Sequence, residues 1–470
     1  MSEYIEKPHF VCALGAFMTA LAIEGVVPIL HAGPGCAQKL DGTLGNLNGC
    51  QGSGHNNAHL LPSTNIGENE VIFGGNDQLR QTITSALEIY DADLFVVFSG
   101  CSSEIVGDDI AEVVSGFSAA AKPVLYVQAA GFKGNNICGH ELFWEALIEQ
   151  YLQDGRRTGQ KGAVGAVAGG GVVAGGGVAA GASAGAAAGG AAPLVNVFAS
   201  LPYQNPFWLG DLEAIGGLLS ELGLRPNLIY GPGRGLQALA CIPEAELNLL
   251  ISPWVGLDTV RRLESAFGTP WLHLPVLPMG PSATAAFLRL TADAAGVSAE
   301  HAEAVIARHE NVYYYYIQRA ADELTKTRLL PARVLVAADS LYALALSRFL
   351  VNDMGIIPQM LIVTDDVPEE HQGAVESLLR DLDGDFDFPV AFARGSGEVH
   401  DLVLAEGFEQ RPYLLGSGWE RSLATKLNTL LLPVATPLLE SMVLNRSYVG
   451  YAGALTLLED LCSPNLGRFQ

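Results

Sequence analysis

The sequence has no excess of positive charge: 26 lysines and arginines stand against 50 aspartates and glutamates, a net charge of −24. Nucleic-acid binding and docking on an anionic membrane both need clustered cations, so neither is expected. No G-x-x-x-x-G-K-[S/T] loop occurs. The chain therefore lacks the glycine cradle and lysine that hold nucleotide phosphates, and it is not expected to hydrolyse ATP. Gly231-Pro232-Gly233-Arg234-Gly235 does not replace it, because its third glycine arrives one residue early for a dinucleotide fingerprint and makes a plain turn. No C-x-x-C pair is present, which excludes the compact ligand runs of ferredoxins and zinc ribbons. Met1–His9 carries Glu3 and Glu6 and no basic stretch, so no secretory signal is expected. Seven cysteines, an odd number, suit a reducing cytoplasm better than a disulfide framework.

What is present is apolar. At 470 residues and 49% hydrophobic content, the chain can bury several cores and should divide into about three domains. Short apolar runs ending in Gly, Pro or Asp alternate with helical stretches, the pattern of parallel α/β layers. The predicted strands are Leu94–Phe98, Val124–Val127, Leu194–Phe198, Asn227–Tyr230, Leu247–Ile251, Arg333–Ala337, Met360–Val363, Val390–Phe392 and Tyr413–Leu415. A helix is expected after the Cys101 turn, through Ile110–Val114. The fold class is α/β, with three Rossmann-like domains near residues 1–158, 194–330 and 331–470. Between the first two, at 159–193, lies a linker whose stretch Gly162–Ala192 contains 12 Gly, 13 Ala, five Val and one Ser. Glycine at that density disfavours a membrane helix, leaving a flexible linker or an ordered glycine–alanine packing element.

Three cysteines stand in glycine-punctuated turns: Cys12 in Phe10-Val11-Cys12-Ala13-Leu14-Gly15, Cys36 in His31-Ala32-Gly33-Pro34-Gly35-Cys36, and Cys101 in Ser99-Gly100-Cys101-Ser102-Ser103-Glu104. Backbone amides in such turns point outward and can neutralise a bound anionic cluster. On spacing alone, three separately buried thiols remain the readier reading, since free cysteine is among the most buried residue types.

The surrounding words alter that balance. His31–Cys36, Val71-Ile72-Phe73-Gly74-Gly75 and Cys101-Ser102-Ser103-Glu104-Ile105-Val106-Gly107-Asp108-Asp109 together resemble the component 1 family of nitrogenases and nitrogenase-like reductases. A weaker likeness runs through Leu247-Asn248-Leu249-Leu250 and Leu415-Gly416-Ser417-Gly418 to Asn445-Arg446-Ser447-Tyr448-Val449-Gly450-Tyr451. The resemblance implies that Cys12, Cys36 and Cys101 bind an iron–sulfur cluster shared with an α-type subunit. That cluster is an eight-iron P-cluster, or a four-iron cluster as in the pigment-biosynthesis relatives. It also implies a homodimeric ATP-dependent iron protein as electron donor and an α2β2 heterotetramer.

Departures from the family pattern indicate the subunit type. The nitrogenase α subunit anchors its metal cofactor with a Cys and a His; here the matching positions are Ser252 or Pro253, and Val449. An active-site cofactor is therefore expected in the α-type partner, and this chain resembles a β-type subunit. Gly131 stands where the nitrogenase β chain has a serine able to bind the oxidised cluster. That departure and the Asn46–His59 stretch, which also departs from the nitrogenase β pattern, favour a methylthio-alkane reductase, with true nitrogenase second and tetrapyrrole reduction third. A cofactor-assembly scaffold is the non-catalytic alternative.

Cys50, Cys138, Cys241 and Cys462 are expected to be structural, Cys50 being the most open case because it lies in Asn46–Asn57, which is rich in Asn and Gly, contains His55 with His59 just beyond, and could cover a cluster. Asp108 and Asp109 are expected to cap the helix after Cys101. Tyr313–Tyr316 is expected to lie on a helix and serve packing or an interface.

Overall fold

The computed structural model describes residues 7–51, 61–153, 192–326, 329–384, 386–408 and 412–466. Among them three sheets form, and every strand pairing is parallel. The first contains β1 (Val26–His31), β2 (Leu94–Ser99) and β3 (Val124–Gln128) in the order β1-β2-β3. The second contains β4 (Leu194–Phe198), β5 (Arg225–Leu228), β6 (Leu247–Ile251) and β7 (Trp271–Leu274) in the order β5-β4-β6-β7. The third contains β8 (Val334–Ala338), β9 (Pro358–Val363), β10 (Val390–Phe392), β11 (Tyr413–Gly416) and β12 (Leu431–Pro433) in the order β10-β9-β8-β11-β12. The architecture is three Rossmann-like α/β domains.

The first sheet shows why the strands form. β2 is Leu-Phe-Val-Val-Phe-Ser with every residue buried, the continuous apolar run of a strand covered on both faces. Its side chains alternate between two cores. Phe95 and Val97 pack with Leu79, Ile83, Ile110 and Val113, which come from helices α4 (Asn76–Ile89) and α6 (Ile110–Ser115). Val96 and Phe98 face Phe17 and Phe143, from α1 (Ala16–Leu21) and α7 (Asn136–Leu147). The Phe98 ring lies 5.9 Å from that of Phe17 and 6.3 Å from that of Phe143.

The remaining helices of this unit are α2 (Pro34–Asn46), α3 (Glu68–Phe73) and α5 (Cys101–Val106). The helix expected after Cys101 is in fact two, because Gly107 takes a left-handed conformation (φ 86°) that ends α5 before α6 begins. The expected strand Asn227–Tyr230 lies two residues earlier, at Arg225–Leu228. Among the described residues β1, β7 and β12 are additional to the predicted strands. β1 contains Pro28, which is tolerated at the edge of a sheet; β2 is its one partner strand, and on its outer side Leu30 bonds the 62–64 segment.

Polar ties join the three units through the shared core. Trp144 Nε1 donates to Tyr230 Oη at 2.8 Å. Asp211 accepts from Ser200 Oγ, Tyr342 Oη and Ser447 Oγ at 3.0, 2.9 and 2.7 Å. Burial pushes the Asp211 carboxyl up to about 7. The tyrosine run lies on the helix Ala299–Lys326, with Tyr313 buried and Tyr314, Tyr315 and Tyr316 exposed. The glycine–alanine stretch falls outside the described residues apart from its last alanine.

Candidate functional site

Register brings the site together. His31 pairs with Ser99 and Ser99 with Gln128, so the chain leaves all three strands of the first sheet at one edge, where α/β proteins bind ligands. The loop after β1 carries Cys36 into the first turn of α2, behind Gly33 and Pro34. The turn after β2 is a single residue, Gly100, and Cys101 opens α5. A Cβ on Gly100 would lie 2.5 Å from that of Ala32, so only glycine lets the two turns touch. Gly100 N–H and Ser103 Oγ both donate to the His31 carbonyl, at 2.9 and 2.8 Å.

Cys12 arrives from the N-terminal side. Val11 and Ala13 bracket it with backbone bonds to Asn136 and Gly134, at 2.8 and 2.9 Å. The turn after β3, Gly131–Lys133, separates this segment from α5. A Cβ on Gly131 would lie 3.1 Å from Cys101 Sγ and 3.3 Å from Cys12 Sγ. The two sulfurs therefore stand no further apart than twice the longer distance. Gly131 N–H donates to Cys101 Sγ at 3.1 Å. Burial, then the charges of Cys12 and Cys101, push the Cys36 thiol up, with Lys39 opposing. Cys12, Cys36 and Cys101 are all half-buried free thiols. Among the described residues no three His, Cys, Asp or Glu side chains converge on a single metal ion.

A polar scaffold underlies these turns. Glu104, on α5, accepts from the Ala130 N–H at 3.2 Å and pairs with Lys133 Nζ at 2.9 Å, tying α5 to the Gly131 turn. Asp109 caps α6 as expected, accepting from Glu112 N–H at 2.9 Å. Asp108 does not cap a helix. It accepts from Gly75 N–H at 2.7 Å and meets His31 Nε2 at 3.0 Å, while His31 Nδ1 lies 3.1 Å from Thr64 Oγ1. Burial holds the His31 imidazole below its ordinary range against the pull of Asp108. The pairing had no local signal, because its partners are 77 residues apart.

Of the other cysteines, Cys50 is exposed, Cys138 and Cys241 half-buried and Cys462 buried. Cys138 lies in the first turn of α7, its Sγ 3.5 Å from the Lys133 carbonyl; burial and then Glu141 push its thiol up. His55 and His59 lie outside the described residues.

A second feature lies between the three sheets. A cavity of about 70 Å³ is lined by His9, Asn136, Asn205, Ser252, Asp339 and Asp365, among others. No cysteine is among its described lining residues, and His9 is the one imidazole. Ser252 Oγ accepts from Val255 N–H at 3.0 Å, and Val449 is buried. Neither can supply the soft donor that a metal cofactor would need.

A sequence profile of the family described as nitrogenase component 1 type oxidoreductase matches residues 12–465. The nitrogenase molybdenum-iron protein beta chain of Crocosphaera subtropica is 22% identical over 465 residues, covering 95% of this chain and 80% of that one. One subunit of the light-independent protochlorophyllide reductase of Trichormus variabilis is 23% identical over 63% of this chain, which spans about half (53%) of that relative. The nitrogenase iron-molybdenum cofactor biosynthesis protein NifE of Methanosarcina barkeri is 22% identical over 67% of this chain and 60% of its own length. Among solved structures, nitrogenase Cp1 at pH 6.5 superposes with a TM-score of 0.73 at 18% identity, covering 100% of this chain and 94% of that one. With that profile spanning nearly the whole sequence, the chain belongs to the nitrogenase component 1 family and is a nitrogenase-like oxidoreductase subunit.

Proposed function

We propose that this chain is the β-type subunit of a nitrogenase-like reductase in which Cys12, Cys36 and Cys101 hold an iron–sulfur cluster. The carrying observation is the grouping of Cys12 and Cys101 about Gly131, with Cys36 close enough to feel both charges. The donor set fits: three soft thiolates, spaced too widely for one ion, suit a multi-iron group. When bound, such a cluster supplies reversible low-potential electron storage. The chain's own part is positional and electrostatic. Gly131 N–H stabilises charge on Cys101 Sγ, its missing side chain leaves room beside two sulfurs, and the Glu104–Lys133 pair holds the turn.

Three thiolates leave either an eight-iron or a four-iron cluster short of ligands, so the α-type subunit completes it at this edge. Phe132 (63% exposed) beside the thiols supplies apolar surface for that contact. Ile72 and Phe73 on α3 and Ile105 on α5, 69, 83 and 74% exposed, form the face on which the homodimeric ATP-dependent iron protein docks. Electrons then pass through the cluster to a cofactor in the α-type partner, as the junction cavity here offers no thiol. Assembly is as an α2β2 heterotetramer in the cytoplasm.

The substrate reading is C–S bond reduction in methylthio-alkanes, supported by Gly131, whose position offers no side-chain oxygen to the cluster. The second reading, a true nitrogenase β subunit, is favoured by the similarity along 80% of a nitrogenase beta chain. Anaerobic purification with the α-type partner, followed by metal analysis and assay on both substrates, separates them. Cys36→Ala and Cys101→Ala should each strip iron and abolish electron transfer. Full iron content and activity in both variants would overturn the assignment.

A further inference from the structure

The three cysteine turns are not held alike. Those of Cys36 and Cys101 follow strands of one sheet and meet at the His31 carbonyl. Cys12 follows no strand, and the residues just before it lie against the third sheet. Pro8 bridges Gly395, and Ser396 N–H donates to the Lys7 carbonyl at 2.9 Å. Trp419 Nε1 donates to the Pro8 carbonyl at 3.3 Å, while Lys7 Nζ stands 4.5 Å from the centre of the Trp419 ring. His9 Nε2 meets Glu420 Oε1 at 2.9 Å, both side chains being buried. Gly395 and Ser396 follow β10, and Trp419 and Glu420 follow β11, so all these contacts come from one edge of that sheet.

Glu420 is the centre of the attachment. Its second oxygen accepts from the Ser417 N–H at 2.8 Å and from Ser417 Oγ at 2.6 Å, which aims the first oxygen at His9. Burial works to push the carboxyl up, but His9 and Ser417 outweigh it and hold Glu420 below its ordinary range. An ionised carboxylate buried without its partner is strongly disfavoured, so the pair resists withdrawal of residues 7–9. A second tie reaches the same place. Asn135, the backbone bridge partner of Cys12, donates through Nδ2 to Asp366 Oδ2 at 3.4 Å, and Asp366 follows β9 and pairs with Arg394 Nε at 2.8 Å.

We propose that Glu420 is a positioning residue for the cluster: acting through His9, it fixes residues 7–12 so that Cys12 Sγ stands beside Gly131 with Cys101. Three residues lead from His9 to Cys12, about 10 Å of extended chain, so a shift at the pair is passed on over a short span. The third sheet thereby helps to mount a ligand of a cluster seated on the first. The proposal rests on the cluster reading for its purpose, but the geometry belongs to the chain itself.

The test compares the three thiols within one molecule. In the full chain stripped of iron, alkylation by iodoacetamide is timed at each cysteine by mass spectrometry. A half-buried thiol reacts through local opening, so Glu420→Ala should speed Cys12 about tenfold and leave Cys36 and Cys101 within about twofold of the parent. Trp419→Ala, at the half-buried rim of the same attachment, should speed Cys12 selectively by about threefold, and it decides where Glu420→Ala does not fold. In the complex loaded with iron, Glu420→Ala should alter the electron paramagnetic resonance spectrum of the cluster, which a loss of stability alone would not do. Equal acceleration of all three thiols, or none at Cys12, would overturn the proposal. An iron-free parent complex would overturn the cluster reading instead, while the alkylation rates decide the positional claim by themselves.

Discussion

His31 and Asp108 meet at 3.0 Å in the interior beneath the cysteine turns, and Asp108 holds Gly75 N–H with its other oxygen. One carboxylate thus ties the end of β1, the turn before α4 and the break between α5 and α6. With Asp108 accepting from Nε2–H, His31 Nδ1 accepts from the Thr64 hydroxyl, which fixes the ring.

Asp108→Asn cannot serve both donors with oxygen, so one buried N–H loses its partner. A loss of about 1–3 kcal/mol in urea unfolding is expected, together with lower iron content, because the Cys36 and Cys101 turns are anchored on this pair. Unchanged unfolding and unchanged iron would contradict the anchoring role.

Gly131→Ala places a methyl group 3.1 Å from Cys101 Sγ and 3.3 Å from Cys12 Sγ. Both sulfurs must shift, so iron loading should fall. Gly217→Ala is the control. It lies on the helix Trp208–Glu221 with nothing within 4 Å of a new Cβ, and should stabilise by about 0.5–1 kcal/mol with iron unchanged. Equal iron in the two variants would show that the Gly131 space does not matter.

His140 is buried on α7, its Nδ1 2.9 Å from Thr19 Oγ1, and burial lowers its pKa to about 3. Between the unfolded value of 6.5 and about 3, the unfolded chain binds a proton that the folded chain does not. Stability contributed by His140 is therefore complete above pH 6.5 and falls as pH drops toward 3, by up to about 5 kcal/mol. Asp211, raised from 3.8 to about 7, works oppositely, its contribution being lost as pH rises between those values. The difference between parent and His140→Asn isolates the histidine. The variant's unfolding free energy should have the shallower acid limb, and parallel limbs would refute the buried neutral imidazole.

Phe73→Ser tests the docking face. Phe73 is 83% exposed in the chain, and burying it against the iron protein should contribute enough that its loss raises the half-saturating concentration of that protein about tenfold. Iron content and assembly with the α-type partner should not change. Phe132→Ser should do the reverse, weakening assembly, and identical effects of the two would merge the faces.

Much of the fold was legible because burial on both faces leaves its mark on composition. Leu194–Phe198 and Leu247–Ile251 were predicted to the residue, as continuous apolar runs between turn signals. Arg225–Leu228 was placed late, because its first residues, Arg225 and Pro226, are polar or lack an N–H and sit at the outer strand β5. Pro28 likewise hid β1 from a pattern-based reading. The tertiary environment tolerates each at an edge.

The sequence by itself determined the parallel α/β class, the family and the three cysteine turns, since apolar periodicity and glycine punctuation are local properties. Only the tertiary structure decided what those turns face. Strand register brought the turns that carry Cys36 and Cys101 to one sheet edge, and Gly100 let those turns touch. Gly107 broke one expected helix and freed Asp108 for His31. Such meetings join residues dozens of positions apart, and their free energy depends on burial and geometry that no local pattern carries.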